Sequence, residues 1–154
     1  MLNKNKMNFR FFACVAMCVV MMFGTGSCKK DVKTEEKDPR EEFAGTYNAR
    51  YSFVFDSQQY FSDYTLIITK SATNVNDVLM SMISPTLTLL KQTNTVTARG
   101  TVSGNALTIP QQTFVALGIS GSGTLNGHSL TFSTMETHTD LTGVINVSHT
   151  ATKQ

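Results

Sequence analysis

The chain has 154 residues, 13 of them basic and 11 acidic, for a formal net charge of +2. That length is enough for one domain with a modest hydrophobic core. From Phe43 onward, five basic residues are balanced by five acidic ones and form no basic stripe. We therefore expect no nucleic-acid partner, because phosphate binding needs clustered Lys and Arg.

Residues 1–27 have the organisation of a cleaved secretion signal. Three isolated basic residues precede an unbroken apolar run from Phe11 to Phe23. This run is shorter than the roughly 20 residues that a membrane-spanning helix needs. The small residues that follow it lead directly to Cys28.

The segment Gly24-Thr25-Gly26-Ser27-Cys28 resembles the processing site of bacterial lipoproteins of the Bacteroidetes type. The resemblance implies cleavage before Cys28, lipid attachment at Cys28, and anchorage to the outer membrane, facing the periplasm or the cell surface. The other two cysteines lie in the segment to be removed, so Cys28 has no internal disulfide partner. An ordinary secretion signal with an incidental Cys28 is the alternative.

Residues 28–42 are predicted to form a charged, flexible tether. Val32 is their only strongly apolar side chain after Cys28, so the segment cannot bury enough apolar surface to offset its ordering entropy. A short helix around Lys33–Lys37 is a marginal alternative.

From Phe43 to the end of the chain, apolar residues alternate with Thr, Ser and Asn, which is typical of strands with one buried face. The predicted inward sets include Tyr47, Ala49, Tyr51, Phe53 and Phe55; Leu66 and Ile68; Val96, Ala98 and Val102; Leu130 and Phe132; Ile145 and Val147. Residues 74–91 are ambiguous. We favour a strand or irregular edge with Val78, Met80 and Met82 on one face, over a helix capped by Asn76 and ended by Pro85.

The sequence contains one motif twice: TVSGNALTI (101–109) is similar to TLNGHSLTF (124–132). Gly104 and Asn126-Gly127 predict tight hairpin turns, with positive φ expected at both Asn126 and Gly127. The apolar pairs Val102 with Leu107 and Leu125 with Leu130 would close each hairpin on its core side. The repeat is therefore interpreted as structural.

About eight short strands joined by tight turns predict an all-β domain over residues 43–154, an antiparallel up-and-down meander closed into a barrel. A β-sandwich is the alternative. Gly45-Thr46-Tyr47 at the first strand resembles the Gly-x-Trp start of lipocalins and other calycins. That resemblance implies an eight-stranded barrel in which Lys153 covers the Tyr47 ring.

Catalytic and metal chemistry find little support in the sequence. Gly118–Gly123 precedes no helix signal and is predicted to be a glycine-rich strand, not a phosphate loop. Glu136, His138 and Asp140 would share one strand face near His149, as in a metal site. We favour solvated loop residues, and predict no enzyme activity, catalytic residue, metal or cofactor.

The predicted inward aromatic residues Tyr47, Tyr51, Phe53 and Phe55 are the candidate ligand-binding residues, because an eight-stranded barrel can hold one small ligand. The expected ligand is small and apolar or glycan-derived. The alternative function is a protein-interaction module, either a tethered inhibitor or an accessory subunit of an envelope complex. In that case the aromatic residues fill a solid core.

Lipid anchorage predicts that Cys28→Ala releases the protein from the membrane fraction, because no acyl chain would hold it there. Fractionation with a carbonate wash, followed by immunoblotting, measures the distribution. Cys18→Ala is the matched control, since Cys18 lies within the predicted signal. A Cys28→Ala protein that stays in the washed membranes contradicts the lipoprotein interpretation.

Overall fold

The computed structural model describes residues 37–154. The predicted signal, the predicted lipid attachment at Cys28 and most of the predicted tether lie outside the described residues. Two short helices and eight strands occur in this order: α1 (Pro39–Phe43), β1 (Gly45–Phe55), β2 (Gln58–Lys70), β3 (Asp77–Ile83), α2 (Pro85–Leu89), β4 (Thr95–Ser103), β5 (Ala106–Phe114), β6 (Leu117–Asn126), β7 (Ser129–His138) and β8 (Ile145–Lys153).

The strands form a closed antiparallel up-and-down barrel. Each strand pairs with the next in sequence, and β1 also pairs with β8 over Tyr47↔Lys153 to Phe53↔Val147. The predicted all-β barrel is confirmed, and the two-sheet sandwich is not the architecture. Each of the eight strands therefore has two neighbours, although β4 pairs with β5 only over Thr101–Ser103 and β2 with β3 only over Ile67–Lys70.

The alternation of the sequence determines which side chains enter the barrel. Exposed and buried residues alternate without interruption along β7 and along β4. The predicted inward positions are buried throughout, except that Phe55 is only half-buried. The glycine-rich segment 118–123 is part of β6, as predicted.

Both repeated hairpins form, with Val102 opposite Leu107 and Leu125 opposite Leu130. The turn geometry differs from the prediction in one respect. Asn126 pairs with Ser129 as the end of β6, so the two turn residues are Gly127 and His128, and of these only Gly127 has positive φ (60°). Gly104 has φ 56° in the equivalent place, and glycine at the first turn position is a common hairpin solution.

The ambiguous segment 74–91 contains a strand, as favoured, followed by a short helix. Val78, Met80 and Met82 face the interior from β3. Pro85 begins α2 instead of ending a helix, and the Ser84 side chain accepts a hydrogen bond from the Leu87 backbone N–H as its cap. Proline suits the first helical position because its missing N–H would have no partner there.

The two ends of the described chain meet at one end of the barrel, here called the termini end. Phe43 of α1 is fully buried there, and its carbonyl oxygen accepts a 2.7 Å hydrogen bond from the Tyr47 hydroxyl. Lys153 places its Nζ 5.9 Å from the centre of the Tyr47 ring, so the expected contact is present.

Residues 39–42, the last of the predicted tether, lie in helix α1. Arg40 explains this placement. Its guanidinium donates hydrogen bonds to the backbone carbonyls of Ser71 and Asn74 and pairs with Asp38. Charge composition alone could not reveal these contacts with the turn between β2 and β3.

Gly121 of β6 lies against β7, and a Cβ atom at Gly121 would overlap the backbone carbonyl oxygen of Ser133. We expect Gly121→Ala to lower the free energy of unfolding by about 1–3 kcal/mol, the usual cost of overpacking. Urea unfolding followed by circular dichroism measures the change.

The control is Ser122→Ala, because Ser122 follows Gly121 in β6 and its side chain is exposed. It should change the free energy of unfolding by less than about 0.5 kcal/mol. Equal stability of the two variants would contradict this account of β6–β7 packing.

Candidate functional site

The barrel end opposite the termini carries the helix α2 and is here called the α2 end. It comprises the turn 56–57, the connector 84–94 with α2, the turn 115–116 and the loop 139–144. The connector is closed at its base by a 2.7 Å hydrogen bond from the Ser84 backbone N–H to the Asn94 carbonyl oxygen. Leu87 of α2 is buried, and Leu89 packs on the apolar cluster below it.

Four aromatic side chains line the interior near the α2 end: Tyr51, Phe53, Tyr60 and Tyr64, here called the aromatic wall. Phe53 stacks on Tyr60 with ring centres 5.1 Å apart, and the Tyr51 ring centre lies 6.0 Å from that of Tyr64. The wall arises because period two directs every second residue of β1 and β2 inward. It offers broad apolar area with hydroxyl groups at three positions.

The four predicted ligand-binding residues divide between two regions. Tyr51 and Phe53 belong to the aromatic wall, and Phe55 packs against the same cluster. Tyr47 lies instead in the main core at the termini end, where its hydroxyl is bonded to Phe43. The structure therefore brings Tyr51, Phe53 and Phe55 together and separates Tyr47 from them.

A series of side-chain hydrogen bonds, here called the interior polar chain, crosses the barrel between the two apolar clusters. The Tyr64 hydroxyl lies 2.9 Å from His149 Nδ1, and His149 Nε2 lies 3.1 Å from Thr134 Oγ1. The His149 ring also stacks on Phe132, with ring centres 4.2 Å apart. Burial lowers the pKa of His149 from 6.5 to about 3, so near neutral pH the imidazole is uncharged with both nitrogens bonded. Burial, and secondarily the nearby Glu136, raise the pKa of Tyr64.

Glu136 connects the barrel wall to α2. Its side chain is fully buried, and Oε2 accepts hydrogen bonds from Ser84 Oγ (2.7 Å) and from the Thr86 backbone N–H (3.1 Å). Desolvation raises the pKa of Glu136, while the bonds from Ser84 and Thr86 act in the opposite direction. The other carboxyl oxygen, Oε1, and the Thr86 hydroxyl are both buried without a hydrogen-bond partner.

An apolar groove of about 710 Å³ opens at the α2 end, between the connector and the β5–β6 hairpin. It is here called the mouth groove, and its apolar lining comes from Leu87, Val96, Phe114, Val115 and Leu117. Val115, at the hairpin tip, is 98% exposed. The lining comes from the connector and from β4, β5, β6 and the turn between β5 and β6, and it includes neither Glu136 nor Thr86.

The histidine and carboxylate residues considered for a metal site do not form one cluster, although His138 Nδ1 lies 3.8 Å from Asp140 Oδ2. Glu136 and His138 point inward from β7, but Asp140 is exposed in the following loop. Its backbone N–H donates to His138 Nδ1. Among residues 37–154, no group of three or more His, Cys, Asp or Glu side chains is arranged to hold a metal ion.

Sequence reasoning missed Tyr64, Thr134 and Thr86 as site residues, and it considered Glu136 and His149 only as metal ligands. A signal for three of them was present. Thr134, Glu136 and His149 occupy inward positions of the alternation that predicts the core, where polar residues are uncommon.

No protein-family model matches this chain, and no curated protein shows significant sequence similarity to it. Within residues 37–154, neither helix has the length or apolar character that crossing a membrane requires.

The buried His149 predicts that acid destabilises the fold. The folded pKa of about 3 lies below the unfolded value of 6.5, so the folded state binds fewer protons. The contribution of His149 to the free energy of unfolding is then at its full value above pH 6.5. It falls as the pH drops from 6.5 towards 3, by on the order of a few kcal/mol.

Urea unfolding across this pH range should show a flatter profile for His149→Gln than for the wild type, because glutamine does not titrate. His128→Gln, at an exposed turn, should follow the wild type. Since Glu136 and the surface carboxylates are present in all three proteins, their titration does not obscure the comparison. Parallel profiles for all three would show that His149 does not cause acid sensitivity.

Proposed function

We propose that this protein is a lipid-anchored, non-enzymatic binding module that takes a small, largely apolar ligand at the α2 end of its barrel. The observation that carries the proposal is the mouth groove, an apolar concavity of about 710 Å³ at one end of a closed barrel. Ligand pockets usually begin at about 300 Å³ and combine apolar walls with a few polar groups. The mouth groove has this size and composition.

The groove also has a polar part of its lining, from Gln92, Thr93, Thr95 and Thr97. A few polar groups among apolar walls fix the orientation of a ligand whose body is held by apolar contacts. The aromatic wall provides apolar surface deeper in the barrel.

A non-enzymatic role fits the state of the interior histidine. A general base must reach a substrate proton with a free nitrogen and a pKa near the working pH. His149 has both nitrogens occupied by Tyr64 and Thr134, and its pKa is about 3. In this role His149 joins Tyr64 of β2 to Thr134 of β7 through hydrogen bonds.

Membrane attachment through Cys28 is the second part of the proposal, and it rests on the sequence pattern around that residue. An envelope location would expose the groove to lipids and glycan fragments, the ligand classes expected for such a module. The outer membrane, facing the periplasm or the cell surface, is the proposed location.

A protein-interaction role is the second candidate, and one observation favours it. Four exposed apolar side chains lie on the outer face of neighbouring strands β2, β1, β8 and β7 or just beside them: Phe61, Val54, Val144 and Met135. Contiguous exposed apolar residues commonly mark interaction surfaces. In this case the outside of the barrel would carry the function.

The binding proposal predicts that Val115→Glu weakens the binding of an uncharged apolar probe, Nile red, by about threefold or more, because a charge at the groove rim disfavours apolar contact. Fluorescence titration of the purified protein measures the affinity. Val115 is almost fully exposed, so the fold should be unaffected.

Val75→Glu is the matched control, since Val75 is also exposed (74%) but lies in the turn between β2 and β3 at the termini end. It should leave Nile red affinity unchanged. Equal effects of the two substitutions would exclude the mouth groove as the binding site. If neither Nile red nor any envelope lipid binds the wild type, the interaction role becomes the better interpretation.

A further inference from the structure

The barrel wall is open beside the mouth groove, and the inference from this opening rests on the binding function proposed above. The pairing of β4 with β5 is limited to residues 101–103 and 106–108. Residues 95–100, nearer the α2 end, pair with β3 on one side, and none of them pairs with β5 on the other side in the described sheet. Along this stretch, one edge of β4 therefore has no neighbouring strand in register.

The sequence of β5 explains why the pairing stops. Pro110 has no backbone N–H to donate to a neighbouring strand. A bulge then shifts the register of β5 against β6 between Ile109 and Gln112. Prolines within sheets occur at edges and bulges, where they do not interrupt a continuous ladder of hydrogen bonds.

The side chain of Gln112 takes the place of a neighbouring strand at Arg99. The Arg99 backbone N–H donates a 2.8 Å hydrogen bond to Gln112 Oε1, and Gln112 Nε2 donates a 2.8 Å hydrogen bond to the Arg99 carbonyl oxygen. Two residues that exchange both bonds in this way form a hydrogen-bonded pair of an antiparallel sheet. At this position the edge of β4 therefore already binds an amide group.

The bonds of Arg99 also show which backbone groups of β4 face the mouth groove. Alternate residues of an antiparallel strand direct their N–H and C=O groups to the same side. Thr97 and Thr95 therefore present these groups to the same side as Arg99. Both threonines are exposed, and both line the mouth groove. The groove thus has a short strand edge along one wall.

We propose that the mouth groove binds a short extended peptide with an apolar central residue, added to β4 as an antiparallel strand. An unpaired strand edge is a template for another chain, and strand addition is an established mode of peptide recognition. The peptide residues opposite Thr95 and Thr97 exchange backbone hydrogen bonds with them. The residue between them lies opposite Val96, so its side chain points inward, towards Leu87 and Leu117.

A peptide fits the groove better than a hydrocarbon does. A hydrocarbon lying on Thr95 and Thr97 would remove water from their backbone groups and would offer no hydrogen bond in exchange, which costs free energy. A peptide backbone supplies donors and acceptors at the spacing of a strand. None of the side chains that line the groove is charged, so an uncharged peptide segment is expected.

The probe that tests the proposal is acetyl-Leu-Thr-Leu-Thr-Leu-amide, in which the leucines face inward and the two threonines lie opposite Thr95 and Thr97. Isothermal titration calorimetry with the purified protein measures its affinity. Methylation of the backbone nitrogens of both peptide threonines removes the donors that face β4, and we expect it to weaken binding by about tenfold or more. Methylation of the central leucine nitrogen is the matched control. Its N–H points away from β4, so the affinity should change by less than about threefold.

Thr97→Pro tests the same contact from the side of the protein. The substitution removes an N–H that faces the groove and not β3, a position at which a strand tolerates proline. We expect the peptide to bind about threefold to tenfold more weakly, through loss of one backbone hydrogen bond. Thr97→Val keeps the N–H and removes only the hydroxyl, so it should bind the peptide as the wild type does. Circular dichroism verifies that both variants fold, and the methylated peptides provide a test that needs no variant.

Outcomes that contradict strand addition differ from a failure of the binding function. Equal affinities for the parent peptide and its doubly methylated form would overturn the proposal. Weakening by methylation with unchanged binding to Thr97→Pro would place the peptide on another edge, such as the part of β2 beyond its pairing with β3, and would overturn it as well. If sedimentation shows a dimer that Thr97→Pro converts to a monomer, a second copy of the chain occupies the edge and the peptide proposal is wrong. If Nile red binds and the peptide does not, the peptide class is wrong while the proposed function stands; if neither binds, both fail.

Discussion

The pairing of β1 with β8 is the constraint on which the rest of the structure depends. These strands are the first and last of the sheet, and their seven paired positions convert an open meander into a closed barrel. Closure gives the sheet an inside, so every inward side chain is surrounded by the other strands. It also brings His149 of β8 beside Tyr51 of β1 and within reach of Tyr64 of β2. The interior polar chain exists only because the barrel closes.

The two barrel ends differ because one connection at the α2 end, residues 84–94, is longer than all the others. At the termini end, two-residue turns between β4 and β5 and between β6 and β7 leave the rim tight, and the buried Phe43 packs into the main core. At the α2 end, the 84–94 connector is long enough to contain a helix and to reach the barrel interior. Glu136 fixes that connector by accepting bonds from Ser84 and Thr86. One end is therefore closed by packing of Phe43, and the other by a connector that carries a helix.

Sequence patterns predicted local structure well and long-range chemistry poorly. The alternation in β1, β4, β7 and β8 follows directly from the two-residue period of a strand, and Gly104 and Gly127 mark turns that require positive φ. The Tyr64–His149 contact joins residues 85 apart, and the Glu136–Ser84 contact joins residues 52 apart. No local pattern encodes such contacts, because they depend on barrel register. Pro85 was ambiguous in the sequence, because proline both ends and begins helices, and the capping Ser84 shows that here it begins one.

The pairing of β8, the last strand of the barrel, with β1, the first, has a consequence for folding kinetics. The contacts that close the barrel join residues about as far apart in sequence as the domain allows, and such pairings form slowly. A nascent chain that lacks β8 presents two unpaired edges, β1 and β7, which are open to pairing with other chains. The interval before the last strand joins is thus the period of greatest exposure to aggregation. No closed barrel can form until the nine residues of β8 are available to pair with both β1 and β7.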